Sequence, residues 1–253
     1  MRFNLRRGGL PPPPAGVNVS AVLGGDAASR RANAAFGYFK LTKGGGDLAP
    51  PAQVLVVALG SAPGEPNWAG ALGRVRREQG AAAAARWDTC YVVDARRDWY
   101  RADGFTEMLA AAAAGYRRVL VVGDSMGGSG ALVMSPAATR VLAFTPQVDL
   151  LTSALRPGGG SGNGAAERAF TGALMRALCT ARERCCAVEV HTGNWENDLA
   201  QADFAGQAGD HVRVEVHPHD THRVAKALLD GGSLVRILQN AVEAEMTAAE
   251  ATG

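Results

Sequence analysis

Short apolar runs alternate along the chain with longer amphipathic or alanine-rich stretches. The runs are rich in valine and leucine, have the length of strands, and end in polar or glycine-rich loops. The stretches between them are predicted to be helical at about 69–79, 104–116 and 165–180, with one terminal helix running from about 222 past Leu238. Alternating strands and helices are typical of an α/β protein, so we predict a mostly parallel central sheet with helices on both faces. The predicted strands of this sheet are residues 54–59, 90–93, 119–122, 141–144, 186–191 and 212–216.

The N-terminal sequence differs in character from the rest. Pro11 to Pro14 exclude a helix or a central strand, so residues 1–16 are predicted to be an arm or lead-in to a domain of residues 17–253. Phe36 to Leu41 is predicted to be an early strand. The arm is arginine-rich and acid-poor, as organelle transit segments are, but lacks the apolar core of a secretory signal. We therefore expect a cytoplasmic protein, with organelle targeting left open.

Composition narrows the classes of function. The chain of 253 residues suits one globular domain, and a formal net charge of +2 gives no electrostatic basis for binding nucleic acid. We predict no membrane span, no metal site and no cofactor, and expect a small-molecule substrate; the oligomeric state stays open. Four cysteines without C-x-x-C spacing favour free and mostly buried thiols over disulfides or a zinc site.

One stretch of the sequence carries a chemical signature. The apolar run Val119 to Val122 leads directly into Gly123-Asp124-Ser125-Met126-Gly127, and residues at helical spacing follow. This pattern predicts a strand, a sharp turn and a helix, with a serine at the apex of the turn. Glycines on both sides would keep side chains from covering Ser125, so its hydroxyl would be exposed at the end of the strand. Ser125 is therefore the candidate nucleophile.

The histidines all lie in the C-terminal third of the chain. A serine hydroxyl is a poor nucleophile at neutral pH and needs a base, for which histidine is suited. Of His217, His219 and His222, which follow the last predicted strand, the last begins the terminal helix and is our candidate base. The acid that would orient it is Asp198, in a polar loop after a late strand, or Asp149, after the strand before it. Asp198 is favoured because Asp149 has apolar neighbours and is a candidate helix cap.

These motifs make the chain resemble the α/β-hydrolase superfamily from about Val54 to Val242. The resemblance rests on Gly123-Asp124-Ser125-Met126-Gly127 and on the chain order of serine, aspartate and histidine. It implies a Ser125 nucleophile, a His222 base, and an acid after one of the later strands.

The resemblance also implies an oxyanion hole formed by two backbone N–H groups. Met126, directly after the nucleophile, would supply one of them. Gly60 or Ser61, in the loop after the strand at 54–59, would supply the other. Aromatic residues near these loops are candidates for the wall of an acyl pocket, namely Trp68, Trp195 and Phe144.

Few residues separate the strand at 141–144 from the helix at 165, so we predict no large cap domain. The site is expected to be open, with the glycine-rich loop near Gly158 as its rim. The function that this pattern favours is a serine hydrolase that cleaves a carboxylic ester or thioester through an acyl-enzyme intermediate. An acyltransferase with the same residues, or a non-catalytic binding or scaffold protein of the same fold, are the alternatives.

Overall fold

A computed structural model describes residues 38–42, 52–61, 67–94, 97–101, 105–155 and 164–251. The predicted arm at 1–16 and the glycine-rich loop near Gly158 lie outside the described residues.

A seven-stranded sheet forms the centre of the protein. Its strands in chain order are β1 (Tyr38–Thr42), β2 (Val54–Leu59), β3 (Trp87–Val93), β4 (Arg118–Asp124), β5 (Arg140–Phe144), β6 (Ala187–Thr192) and β7 (Val212–Val216). They lie side by side in the order β1-β3-β2-β4-β5-β6-β7. Strands β2 to β7 are parallel, whereas β1 pairs antiparallel with β3 at one edge. The predicted mostly parallel sheet is confirmed.

Helices cover both faces of this sheet, as the alternating pattern predicts. In chain order they are α1 (Ala69–Ala84), α2 (Phe105–Ala113), α3 (Met126–Val133), α4 (Ala165–Glu183), α5 (Glu196–Gly206), α6 (Val224–Asp230) and α7 (Ser233–Ala251). Helices α1, α6 and α7 pack on one face, and α2 to α5 pack on the other. The α/β architecture is therefore a three-layer sandwich.

The central strands are buried on both sides. All six residues of β2 are buried, and its side chains alternate between the two cores. Leu55, Val57 and Leu59 pack in the core with α2 to α5. Val54 and Ala58 pack in the core with α1, α6 and α7. This period of two explains why β2 is a continuous apolar run rather than an alternating one.

Two predicted helices are interrupted in the structure. The expected single terminal helix is wrong, because Gly231 and Gly232 separate α6 from α7, and Gly232 has a φ of 78°. Helix α1 extends past the predicted end to Ala84 but contains a non-helical residue at Gly80.

The prediction of no large cap domain is also confirmed. The described residues between β5 and α4, 145–155 and 164, contain no further helix or strand.

No described helix is long and apolar enough to cross a membrane. Within the same described parts of the chain no group of side chains is suited to hold a metal ion. The cysteines are all free, but Cys179 and Cys185 are exposed, so the expected burial is wrong for these two.

Candidate active site

Ser125 stands at the turn between β4 and α3, with a backbone conformation that few non-glycine residues adopt. Its φ is 55° and its ψ is −118°. The backbone N–H of Ser125 donates to the carbonyl of Phe144 in β5 at 2.8 Å, which fixes the turn against the sheet. A strained residue held in place by its surroundings is typical of a functional site.

The glycines around Ser125 are required by close backbone contacts. A Cβ atom at Gly123 would lie 2.0 Å from the carbonyl oxygen of Gly127. A Cβ atom at Gly127 would lie 2.4 Å from the carbonyl oxygen of Leu59 at the end of β2. Side chains at either position would push the turn open, so the motif has a steric cause in this fold.

Ser125, His222 and Asp198 form one hydrogen-bonded chain. The distance from Ser125 Oγ to His222 Nε2 is 2.8 Å. His222 Nδ1 lies 3.0 Å from each carboxylate oxygen of Asp198. The imidazole is 21% exposed, whereas the Asp198 side chain is 0% exposed. The nucleophile and the ring are thus open to a ligand, and the acid is sealed behind them.

The loops that follow β6 and β7 are bonded to each other, which brings the acid and the histidine together. Asn194 N–H donates to the carbonyl of His219 at 2.8 Å. A Cβ atom at Gly193 would lie 2.2 Å from that same carbonyl, so the two loops are in close backbone contact. The Thr145 hydroxyl, at the end of β5, donates to the carbonyl of His222 at 3.0 Å. The loops at the ends of β5 and β6 therefore hold the histidine loop, which follows β7.

Asp198 lies in the first turn of α5, where the helix dipole favours a negative charge. Gln147 Nε2 donates to its Oδ1 at 3.0 Å. The competing residue Asp149 has another role, because its carboxylate accepts Leu151 N–H at 3.1 Å and the Thr152 hydroxyl at 2.9 Å. Asp149 thus stabilises its own turn, and the histidine faces Asp198.

The two candidate sources of the second oxyanion donor differ. Gly60 N–H donates to the carbonyl of Val92 at 2.8 Å and is not free to bind a ligand, which corrects the expectation for Gly60. Among the described residues, the partner of Ser61 N–H is Asn67 Oδ1 at the surface, at a long distance of 3.4 Å. Met126 is the first residue of α3, so its N–H has no partner within the helix. Ser61 and Met126 are therefore the available candidates.

Solved structures of other proteins share this arrangement of strands and helices. Proline iminopeptidase of Mycobacterium smegmatis aligns with 85% of this chain and 98% of its own, at a TM-score of 0.55 and 13% identity. Est1E of Butyrivibrio proteoclasticus aligns with 84% and 94%, at a TM-score of 0.54 and 14% identity. FphF, a fluorophosphonate-binding serine hydrolase of Staphylococcus aureus, aligns with 79% and 86%, at a TM-score of 0.53 and 13% identity. The chain has the α/β-hydrolase fold.

No protein-family model matches the sequence, and no curated protein matches it significantly. Identities of this size show a shared α/β-hydrolase fold alone, so the reaction has to be argued from the residues of the site.

Two of the three predicted pocket aromatics belong to the core of the fold, which corrects that prediction. Trp68 is 3% exposed and donates from Nε1 to the carbonyl of Leu59 at 2.9 Å. Phe144 is 0% exposed, packs on Trp68 and stacks on His191. Only Trp195 is half-buried, with its ring edge-on to His222 at a centroid distance of 5.9 Å. Trp195 is therefore the remaining candidate for a substrate contact.

The other histidines near the strand ends are engaged elsewhere. His217 Nε2 lies 3.0 Å from Nδ1 of His191 in β6. Burial lowers the pKa of His191 to about 3, so this ring is neutral at physiological pH. His217 thus pairs with a neutral buried ring on the sheet, and His219 contributes its carbonyl to the loop contact described above. Neither ring bonds to Ser125.

Asp124, inside the serine motif, is half-buried beside the candidate base. Burial raises the pKa of this carboxyl to about 6, although the charge of His222 and the hydroxyl of Thr145 oppose the shift. The Thr145 Oγ1 lies 3.3 Å from Asp124 Oδ1. Asp124 is therefore a second carboxyl that titrates near the imidazole and does not bond to it.

Sequence reasoning missed two polar residues that support the site. Gln147 is fully buried directly after β5 and bonds to Asp198, and Tyr100 is buried in the loop after β3 and bonds to Gly60. The available signal was their position, since both follow strands whose carboxyl ends meet at the edge that carries Ser125. Their partners lie far away in sequence, so position alone does not reveal what they hold.

Proposed function

We propose that the protein is a serine hydrolase that cleaves a carboxylic ester or thioester through an acyl-enzyme intermediate. The observation that carries the proposal is the continuous hydrogen-bonded chain from Ser125 Oγ through His222 to Asp198, with distances of 2.8 and 3.0 Å. A serine activated in this way is the arrangement that acyl transfer requires.

In the first half of the reaction, His222 Nε2 accepts the proton of the Ser125 hydroxyl as Oγ attacks the carbonyl carbon of the substrate. The carbonyl π electrons move to oxygen, and the N–H groups of Met126 and Ser61 stabilise the resulting oxyanion. Collapse of this tetrahedral intermediate breaks the bond to the leaving oxygen or sulfur. The imidazolium of His222 donates its proton to the leaving group, and the acyl group stays on Ser125.

Water replaces the leaving group in the second half. His222 accepts a proton from the water molecule as its oxygen attacks the acyl carbon. The same two N–H groups stabilise the second oxyanion. Collapse releases the carboxylic acid and returns the proton from His222 to Ser125, which restores the free enzyme.

Asp198 acts through the imidazole in both halves. Its carboxylate accepts the Nδ1–H of His222, which leaves Nε2 as the proton acceptor that faces Ser125. The negative charge also stabilises the imidazolium that forms after proton transfer. Because the acid is sealed from water, this interaction is less screened than one at the surface.

The fold alone does not fix the substrate class, since its solved examples include both a proline iminopeptidase and a fluorophosphonate-binding serine hydrolase. Esters and thioesters have better leaving groups than amides, so they place the smallest demand on a site of this design. We therefore assign the ester or thioester class to this chain as part of the proposal.

Labelling with a fluorophosphonate probe tests the proposal directly. The wild-type protein should become labelled at one serine, and Ser125→Ala should not react. A panel of p-nitrophenyl esters and matched thioesters of increasing acyl length then identifies the preferred substrate. Adding an alcohol acceptor separates hydrolysis from acyl transfer by the product formed. A folded wild type that takes up no probe would favour a binding protein and refute the proposed activity.

A further inference from the structure

The side chain of Tyr100 reaches from the loop after β3 to the end of β2. Its Oη donates to the carbonyl of Gly60 at 2.5 Å, and the carbonyl of Val92 lies 3.3 Å away. The residue is 4% exposed, so this hydroxyl is shielded from water. The contact joins a buried donor to the peptide group that precedes Ser61.

The Gly60 carbonyl and the Ser61 N–H belong to one peptide group. A trans peptide is planar, so its C=O and N–H point in opposite directions. Holding the Gly60 carbonyl towards Tyr100 therefore directs the Ser61 N–H to the opposite side. On that side the partner of the Ser61 N–H is the exposed Asn67 Oδ1, at 3.4 Å. A hydrogen bond this long is weak, so a ligand oxygen could take the place of Asn67.

The rest of this peptide segment is held just as firmly. The Leu59 carbonyl accepts Trp68 Nε1 at 2.9 Å, and the Gly60 N–H donates to the Val92 carbonyl at 2.8 Å. The Gly60 carbonyl also lies against α3, because a Cβ atom at Gly127 would be 2.8 Å from it. The Leu59 carbonyl, the Gly60 N–H and the Gly60 carbonyl thus all have buried partners. The Ser61 N–H is the next group along the backbone, and its partner is at the surface.

The loop that carries Tyr100 is itself strained and tightly bonded. Arg97, Trp99 and Tyr100 have φ values of 57°, 69° and 58°. The buried carboxylate of Asp94 accepts the N–H of Arg97 at 3.0 Å, of Asp98 at 2.8 Å and of Tyr100 at 2.9 Å. Strain of this kind persists only where the surroundings impose it, and it is common near functional sites.

Packing fixes the ring of Tyr100 independently of its hydroxyl. The ring lies 5.1 Å from that of Phe105, between centroids. The ring also touches Gly130 of α3, where a Cβ atom would be 2.6 Å from Tyr100 Cδ2. A phenylalanine at position 100 would keep both ring contacts and lose the hydroxyl, with its bond to Gly60 and its longer contact with the Val92 carbonyl.

We propose that Tyr100 is a positioning residue that fixes the Gly60–Ser61 peptide so that the Ser61 N–H serves as the second oxyanion donor. This inference rests on the proposed function. An oxyanion exists only in the transition states and the tetrahedral intermediates, so an aligned donor raises kcat and leaves ground-state binding unchanged. Tyr100 does not touch the substrate; it acts through the peptide.

The test compares Tyr100→Phe with Tyr116→Phe on a p-nitrophenyl ester. Tyr116 is a matched control, because its Oη donates to Asp88 Oδ2 at 2.7 Å, in a contact that involves none of the site residues. Complete loss of an oxyanion donor lowers kcat by about 10²–10³. Loss of alignment should be milder, so we expect Tyr100→Phe to lower kcat about 10- to 100-fold with KM within about twofold of wild type. Tyr116→Phe should leave both constants unchanged.

A second measurement separates positioning from folding. Active sites are titrated with the fluorophosphonate probe, and kcat is expressed per reactive site well below each variant's unfolding midpoint. A trifluoromethyl ketone, which forms a tetrahedral oxyanion on the serine, should lose affinity in Tyr100→Phe in parallel with kcat/KM. A loss confined to KM, or an equal loss in Tyr116→Phe, would overturn the role of Tyr100.

The two levels of the proposal fail in different ways. A wild type that is active while Tyr100→Phe matches its kcat would refute the positioning role and leave the hydrolase proposal standing. A folded wild type that neither cleaves esters nor reacts with the probe would refute both.

Discussion

Replacing Asp198 by asparagine changes one atom at the centre of the proposed triad. Gln147 Nε2 donates to Oδ1 of the carboxylate at 3.0 Å, so the carbonyl oxygen of asparagine is favoured at that position. The amide nitrogen then takes the place of Oδ2, 3.0 Å from His222 Nδ1, and only the carbonyl oxygen, which already accepts from Gln147, is left to accept an Nδ1–H. An amide NH₂ can only donate, so it stabilises the imidazole tautomer that carries its proton on Nε2.

That tautomer cannot accept the proton of Ser125. Loss of the correct tautomer in a serine protease with the same triad lowers kcat by about 10⁴, equivalent to about 5 kcal/mol in the activation barrier. We expect a loss of this order in Asp198→Asn. The fold should be retained, because asparagine has nearly the same volume and keeps the bond from Gln147.

The assay measures kcat on the best p-nitrophenyl ester, with circular dichroism and thermal unfolding as controls for the fold. Asp149→Asn is the matched control, since in the described part of the chain that carboxylate bonds within its own turn, to Leu151 and Thr152. It should keep kcat within about threefold of wild type, as expected of a change remote from the chemistry. An Asp198→Asn enzyme within tenfold of wild type, or a severe loss confined to Asp149→Asn, would refute the assignment of the acid.

Further predictions concern the nucleophile, the base and the neighbouring carboxyl. Ser125→Ala should lower kcat by about 10⁶ and keep the fold, and a variant with a tenth of wild-type turnover would exclude Ser125 as the nucleophile. His222→Ala should abolish turnover in the same ester assay while His217→Ala keeps most of it, because only His222 bonds to Ser125; equal mild losses would contradict this. The raised pKa of Asp124, about 6 against an ordinary 3.8, means that folding favours its protonated form. The protonated carboxyl therefore contributes at most about 3 kcal/mol to the free energy of unfolding. This contribution is present in full below pH 4 and is lost as the pH rises through 6. Asp124→Asn should raise the unfolding temperature at pH 7 relative to wild type more than at pH 4, and an equal change at both values would refute the shift.

The parts of the site that local sequence specifies were predictable. Gly123 and Gly127 are required by contacts within one turn and its neighbouring strand, so the motif predicts the geometry around Ser125. His222 and Asp198 were expected to approach Ser125 because they follow strands whose carboxyl ends share one edge, and the structure brings the three together.

The parts that depend on contacts between distant segments were not predictable. The bond from Gly60 N–H to the Val92 carbonyl arises from the register of β2 beside β3, which pairs Val92 with Leu59, the residue before Gly60. The burial of Trp68 is set by Phe144, which is far away in the sequence and fills the same core. An aromatic residue in a loop has the same sequence signature whether it lines a pocket or closes a core, so pattern alone does not separate the two.

Gln147 shows how a buried polar residue links the elements of the site. It is 0% exposed, and its backbone N–H and carbonyl both bond to the hydroxyl of Ser129 in α3, at 2.9 and 2.8 Å. Its side chain donates to Asp198 and accepts the hydroxyl of Ser153 at 2.5 Å. Burying an amide is costly unless its groups are bonded, and here each end of the amide has a partner. An apolar residue of similar size would avoid that requirement, but it would leave Asp198 Oδ1 without this donor and unlink the acid from α3, which follows Ser125. The satisfied network therefore couples the acid to the helix that follows the nucleophile, because Gln147 bonds to Asp198 through its side chain and to Ser129 of α3 through its backbone.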